Sequence, residues 1–244
     1  MQSAGRSMST WVAKRFWKDV TIEQSSGKYI VLLDGRLVKT PAKATLKVPN
    51  LAMAQAIAHE WQCQGAKIDP ENMPNTRSAN AAIDKVAHQK VEVIAMIAAY
   101  GEDDLLCYRA PNPKELKARQ SDAWDPILAW AAKELDAPLI TIEGVMHENQ
   151  SENSITKLTA QVSGQTEFQL TALHDLVSMS GSLVMGLAAQ WAVYPIEDLW
   201  EWSRVDDLWQ IEKWGRDEDA EATAALKKKA FFHADRFYKL ASEK

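Results

Sequence analysis

Hydrophobic and polar residues alternate with a period of two between positions 20 and 48, and beyond Pro113 the repeat lengthens to that of a helix. In the first stretch, residues 20–23 and 29–33 read as strands separated by Ser25-Ser26-Gly27. Asp34-Gly35 tolerates the positive φ angles of a tight turn, so residues 36–39 should run back antiparallel, and Leu46-Lys47-Val48 can add a short further strand. Asn50 reads as an N-cap ahead of Leu51, Ala54, Ala58 and Trp61, whose spacing is helical until Gly65. The apolar side of that helix is expected to lie on the sheet. Residues 67–74, with Pro70 and Pro74, read as a loop, and Thr76 or Asn80 opens a helix that continues with a break to Tyr100. Residues 105–109 are strand-like, and Pro111-Asn112-Pro113 is a punctuation mark.

The remainder is helical in period. One helix is expected from Leu116 to Trp124, with Asp125-Pro126 then capping a second that places Ile127, Leu128, Ala131 and Leu135 on one face. Residues 139–142 can be briefly extended, residues 151–162 form a helix, and residues 168–191 form another in which Gly181 and Gly186 permit close packing. Pro195 then opens a helix to Trp214 that holds four of the ten tryptophans, with Gly215 as its stop. Leu199, Trp202 and Trp209 share a face while Trp200, Ile211 and Trp214 point away from it. Such a helix must be covered on more than one side, by its own domain or by a partner. The last helix, about 218–240, aligns Ala222, Leu226, Ala230, Phe237 and Leu240. Phe231 and Tyr238 lie off that stripe near Lys227, Lys228, Lys229 and Arg236, which fits a solvated edge beside a second packing contact or a membrane or RNA face. The fold class is α+β. Residues 10–110 are expected to form a small domain of antiparallel sheet with packed helices, and residues 111–244 a larger helical bundle.

A chain of 244 residues with 46% hydrophobic and 25% charged residues has the composition of a soluble globular protein. Its longest apolar run, residues 183–193, is too short to span a bilayer. A net charge of -5 argues against general nucleic-acid binding. Cys63 and Cys107 lie far apart and fit a reducing compartment. The first eighteen residues carry Arg6, Lys14, Arg15 and Lys18 and no acid, in the manner of an organelle transit peptide, although Met8 is an alternative start and the chain from Trp11 onward resembles folded protein.

Phosphate-cradle and nucleophile-elbow motifs are absent: Met179-Ser180-Gly181-Ser182 falls inside a helical pattern. His59 and Cys63 stand one helical turn apart, but zinc needs four such ligands, and His88, His147, His174 and His233 show no ligand spacing, so neither metal nor cofactor is expected. Residues 217–221 form the densest acidic run, which suits a helix N-terminus and lacks the glycine of a calcium loop.

Six segments occur together and in order: Lys14-Arg15-Phe16-Trp17; Leu33-Asp34-Gly35-Arg36 with Lys39-Thr40-Pro41; Glu60-Trp61-x-x-Gln64; Asp104-Leu105-Leu106-Cys107-Tyr108-Arg109; Gln120-x-x-x-Trp124-Asp125-Pro126-Ile127; and Gln210-Ile211-Glu212-Lys213-Trp214-Gly215. Together they resemble the assembly chaperones of the F-type ATP synthase that protect the α subunit of the catalytic head, over nearly the whole chain from Lys14 to about Ala220. The resemblance implies a non-enzymatic, ATP-independent chaperone without cofactor. It would act as a monomer and hold newly made α subunit until a β subunit replaces it. The family's Trp-Gly-x-x-Glu pattern falls on Trp214, Gly215 and Glu218. With Trp209, Glu212 and Asp217 these make up the expected client-binding set, with Glu218 as the critical acid. Trp61 matches too, but its helical face implies a core role.

In two places the chain departs from the pattern: Asp206-Asp207 replaces glutamates, and Asn75 stands where an apolar residue is expected. The expected location is the bacterial cytoplasm, with the mitochondrial matrix as alternative. A different class of function, a small-molecule hydrolase or transferase using acidic residues in a cleft, stays open, as does a peripheral membrane factor acting through the last helix.

Overall fold

The computed structural model describes residues 14–243, so the start of the basic leader, with Arg6, Met8 and Trp11, lies outside the described residues, while Lys14, Arg15 and Lys18 lie within them. Strands β1 (Val20–Ser25) and β2 (Lys28–Leu33) pair antiparallel, from Val20 opposite Leu33 to Ser25 opposite Lys28. Asp34 and Gly35 then take φ of 48° and 76°. This is the double positive φ that a two-residue hairpin turn demands, and it returns the chain as β3 (Arg36–Leu37). The Asp34 carboxylate accepts hydrogen bonds from the backbone N–H groups of Asp19 and Lys18, which hold it below the usual carboxylate range. Strand β4 (Lys47–Val48) pairs with the other end of β2. Helix α1 (Leu51–Gln62) starts where the Asn50 side chain accepts from Met53 N at 2.9 Å, and it lies against β1, β2 and β4 as its apolar spacing requires. Val31, Leu46, Val48, Met53 and Ile57 form the core of this unit, which extends to Ala79.

The second unit runs from Asn80 and is helical. Helix α2 (Pro74–Ala81) leads into a π-helical turn, Ala82–Val86, and α3 (Lys90–Ala99) packs on α5 (Glu152–Ser163) and α6 (Glu167–Ser180). Residues 80–110 therefore fold with the helices, so the compact units divide earlier than the boundary at 110 expected from sequence. Helix α4 (Lys114–Glu134) is continuous through Pro126, where two helices were expected. Asp125 does not cap; its carboxylate is taken by Arg109, while Trp124, Ile127 and Ala131 keep one buried face across the proline.

Where one helix was expected over 168–191, Gly181 takes φ 73° and ends α6. Ser182 then caps α7 (Leu183–Gln190) by accepting from Met185 N. Gly186 does allow close approach: a Cβ there would lie 2.6 Å from Val177 Cγ2. The tryptophan-rich segment is likewise two helices, α8 (Ile196–Trp202) and α9 (Val205–Trp214). In α10 (Glu218–Ser242), which packs on α6, the buried apolar residues are Phe231, Ala234, Phe237 and Ala241, with His233 and Asp235 buried beside them, whereas Leu226 is exposed. The expected stripe was thus misplaced, and Phe231 is a core residue, which removes it from any membrane or RNA face. Strand β5 (Tyr108–Arg109) pairs in parallel with β6 (Ile142–Glu143).

Candidate protein-docking site

The six segments that carry the resemblance mostly build the frame. In the first unit the Arg15 guanidinium donates to the carbonyls of Gln62 and Gln64 and lies 5.4 Å over Trp17, which meets Trp61 edge-on. Glu60 is buried and receives the start of α2: Asn75 N and Nδ2 donate to one carboxylate oxygen, Thr76 N and Oγ1 to the other. Asn75 therefore anchors its loop through hydrogen bonds, although an apolar residue was expected there. Cys63 Sγ lies 3.5 Å from His59 Nε2 on an exposed surface, and among the described residues no three metal-ligating side chains converge.

In the second unit Asp104 is fully buried and accepts from Leu106 N and Val184 N, joining the segment before β5 to the first turn of α7. Burial pushes its carboxyl up to about 6 against these hydrogen bonds and one from Ser182. Burial also pushes the neighbouring Cys107 thiol up to about 12, which keeps it protonated and unreactive. Arg109 pairs with Asp125, donates to the Leu106 and Tyr108 carbonyls and stacks on Trp124. Gln120 accepts from Ala110 N and donates to Asp206, and Trp124 Nε1 donates to the Trp202 carbonyl. The matched side chains of α4 thus hold α8 and α9 in place.

On that frame α9 and α10 form a hairpin about Gly215, whose φ of 93° with ψ of 177° suits glycine alone. Between them lies an open cleft of about 560 Å³, with Ile211 on one side, Ala220, Thr223 and Ala224 on the other, and Trp200 in the floor. Trp214 stands at its mouth, 78% exposed, and also borders a smaller cleft of about 340 Å³ on the α4 side of α9. Asp217 lines the large cleft and caps α10 by accepting from Ala220 N at 2.8 Å; Asp207 and Asp219 line it too.

The expected site residues therefore divide. Trp214, Gly215 and Asp217 come together at the cleft. Glu218 is exposed on the first turn of α10 but does not line it. Glu212 is drawn to the other side by Arg119 at 2.7 Å, whose guanidinium holds its carboxyl below the usual range. Trp209 is only 7% exposed, held between the Arg119 and Lys213 cations at 4.9 and 4.5 Å, and serves as packing rather than as a free surface. Sequence reasoning missed Asp207, Asp219, Thr223 and Ala224. Asp207 lies on α9 and the other three within the first two turns of α10, a grouping visible only once the hairpin is known.

The family described as ATP12 chaperone protein matches residues 14–132. The crystal structure of Atp12 from Paracoccus denitrificans is similar at 47% identity and a TM-score of 0.92, over 94% of this chain and 98% of that chain. The chain belongs to the ATP12 chaperone family. A point mutant of Paracoccus denitrificans Atp12p superposes equally well, at 46% identity, TM-score 0.92 and the same coverage. The mitochondrial protein atp12 of Schizosaccharomyces pombe is 25% identical over 219 residues, 85% of this chain and 75% of that protein. Membership of the ATP12 family makes this an ATP synthase assembly chaperone. The α9–α10 hairpin follows the matched stretch in sequence.

Proposed function

We propose that this protein is an ATP-independent chaperone that binds the unassembled α subunit of F-type ATP synthase and releases it into the catalytic head, without making or breaking bonds. The observation that carries this reading is Trp214, a large aromatic left 78% exposed at the mouth of an open cleft on a well-packed frame. Aromatic side chains exposed beside shallow apolar surface act as anchors for protein partners. An unassembled ring subunit exposes an apolar interface of its own, which aggregates unless covered.

The hydrolase or transferase reading would need cleft carboxylates free to move protons. Asp207 is paired with Arg204 and Asp217 is engaged as a helix cap, which leaves Asp219 without a second free carboxylate in the cleft to serve as its acid or base partner. The protein acts as a monomer, in the bacterial cytoplasm or in a mitochondrial matrix; a bacterial Atp12 structure and a mitochondrial atp12 among the relatives support the two settings.

The test is to dilute denatured α subunit into buffer containing the purified protein without nucleotide and follow light scattering. Suppression of scattering in near-stoichiometric proportion is the expected result; unchanged aggregation would refute the assignment.

A further inference from the structure

The α9–α10 cleft stays open for a reason legible in its walls. α10 presents Ala220, Thr223 and Ala224 toward α9, side chains too small to interdigitate with Ile211 and Gln210 across the gap. The first half of α10, up to Lys229, is largely exposed, and burial begins in earnest only at Phe231. Each end of the gap has its own charge. At the Gly215 end stand Trp214, Asp217 and Asp219; at the far end stand Lys227 and Arg204, the latter neutralised by Asp207. Residues 205–225 carry seven acidic residues against two basic ones, while the whole chain is only -5, so negative charge is concentrated around this hairpin.

A wall of small side chains leaves room for an apolar group that the partner must supply. An exposed indole beside carboxylates selects a cation, because the ring face and the acids attract the same charge. We infer that the cleft is a receptor for a client segment in which an arginine or lysine neighbours a bulky apolar side chain. The apolar group fills the gap over Ala220, Thr223 and Ala224. The cation meets Trp214 and the carboxylates of Asp217 and Asp219. Lys227 at the opposite end repels a second cation there and so fixes the direction in which the segment lies. This deepens the client reading above and rests on it.

The experiment compares the unaltered protein with Ala224→Trp, which fills the gap from within, and Asp219→Lys, which reverses charge at its mouth. Both positions are exposed or partly so and neither makes a cap hydrogen bond, so circular dichroism should match the parent, and the unfolding midpoint should fall only slightly for Asp219→Lys, which takes an acid from the first turn of α10; Thr223→Leu, with less added bulk, replaces Ala224→Trp if that variant does not fold. Binding to isolated α subunit is titrated at low and high salt, and overlapping peptides of the α sequence are screened on the same proteins.

The expected result is at least ten-fold weaker α binding by each variant. Salt sensitivity should be reduced in Asp219→Lys, and the bound peptides should combine a basic with a bulky apolar residue and be lost in Ala224→Trp. Variants that bind α subunit as tightly as a competent parent would overturn the receptor while leaving the chaperone reading in place. A parent that does not bind α subunit at all would overturn that reading, and the receptor with it.

Discussion

Glu60 and Thr76 are joined twice across sixteen residues, Thr76 N at 2.8 Å and Thr76 Oγ1 at 2.7 Å to the same carboxylate oxygen. The other oxygen takes two further bonds from Asn75, so one buried carboxylate closes the start of a helix from outside it.

Replacing Glu60 by alanine leaves two backbone donors of α2 without a partner. Each unsatisfied buried group costs about 1–3 kcal/mol and the costs overlap, so the first unit should lose about 3 kcal/mol. Urea unfolding followed by tryptophan fluorescence gives the number. A loss below about 1 kcal/mol would mean that water or a neighbour replaces the carboxylate.

Asp104 should write a pH signature into the stability of the second unit. Its folded-state carboxyl, at about 6, lies above the ordinary value of 3.8, with burial the leading cause. A carboxyl raised in the native state binds its proton more tightly there than when unfolded. Stability is therefore undiminished near pH 4, falls as pH rises through about 6, and is level above that. A shift of about two units corresponds to roughly 3 kcal/mol. Denaturation midpoints measured from pH 4 to 8 test the slope, which Asp104→Asn should flatten. Because one amide –NH₂ must then face Leu106 N or Val184 N, that variant should also be less stable at pH 4 by about 1–3 kcal/mol.

Two tryptophans five residues apart should behave oppositely. Trp214→Ala removes an exposed ring, changes stability by less than about 0.5 kcal/mol, and lowers protection of the client. Trp209→Ala empties a buried site and costs about 3 kcal/mol of fold stability. Paired thermal melts and aggregation assays separate the two; equal melting points would contradict the packing role given to Trp209.

Glu218→Lys reverses an exposed charge on the first turn of α10, where acids favour the helix N-terminus by about 0.3–1 kcal/mol. The fold should survive that loss while client protection falls away. Full protection by this variant would remove Glu218 from the site.

The alternating run before Val48 and the Asp34-Gly35 turn were readable because strand period and turn chemistry are local properties. Breaks inside helices were less so. Gly181 ends α6 only because Ser182 can recap the chain and Leu105 packs beside it, a tertiary matter that glycine alone does not announce. Pro126 misled in the opposite sense: Arg109, distant in sequence, takes Asp125 away from capping, and the buried face carries the helix through. At the site, the pattern ending in Trp214 and Gly215 located the hairpin. The small residues forming its second wall look like ordinary helix-formers until the opposite helix is seen.

Helix α10 is clamped only from Phe231 onward, so its leading turns extend like a cantilever from a fixed root. Amide hydrogens near the root should exchange only with global unfolding, and those toward the tip through cheaper local fraying. A bound client would then register as slowed exchange confined to the overhang, a footprint that needs no mutation and reports occupancy along the beam residue by residue.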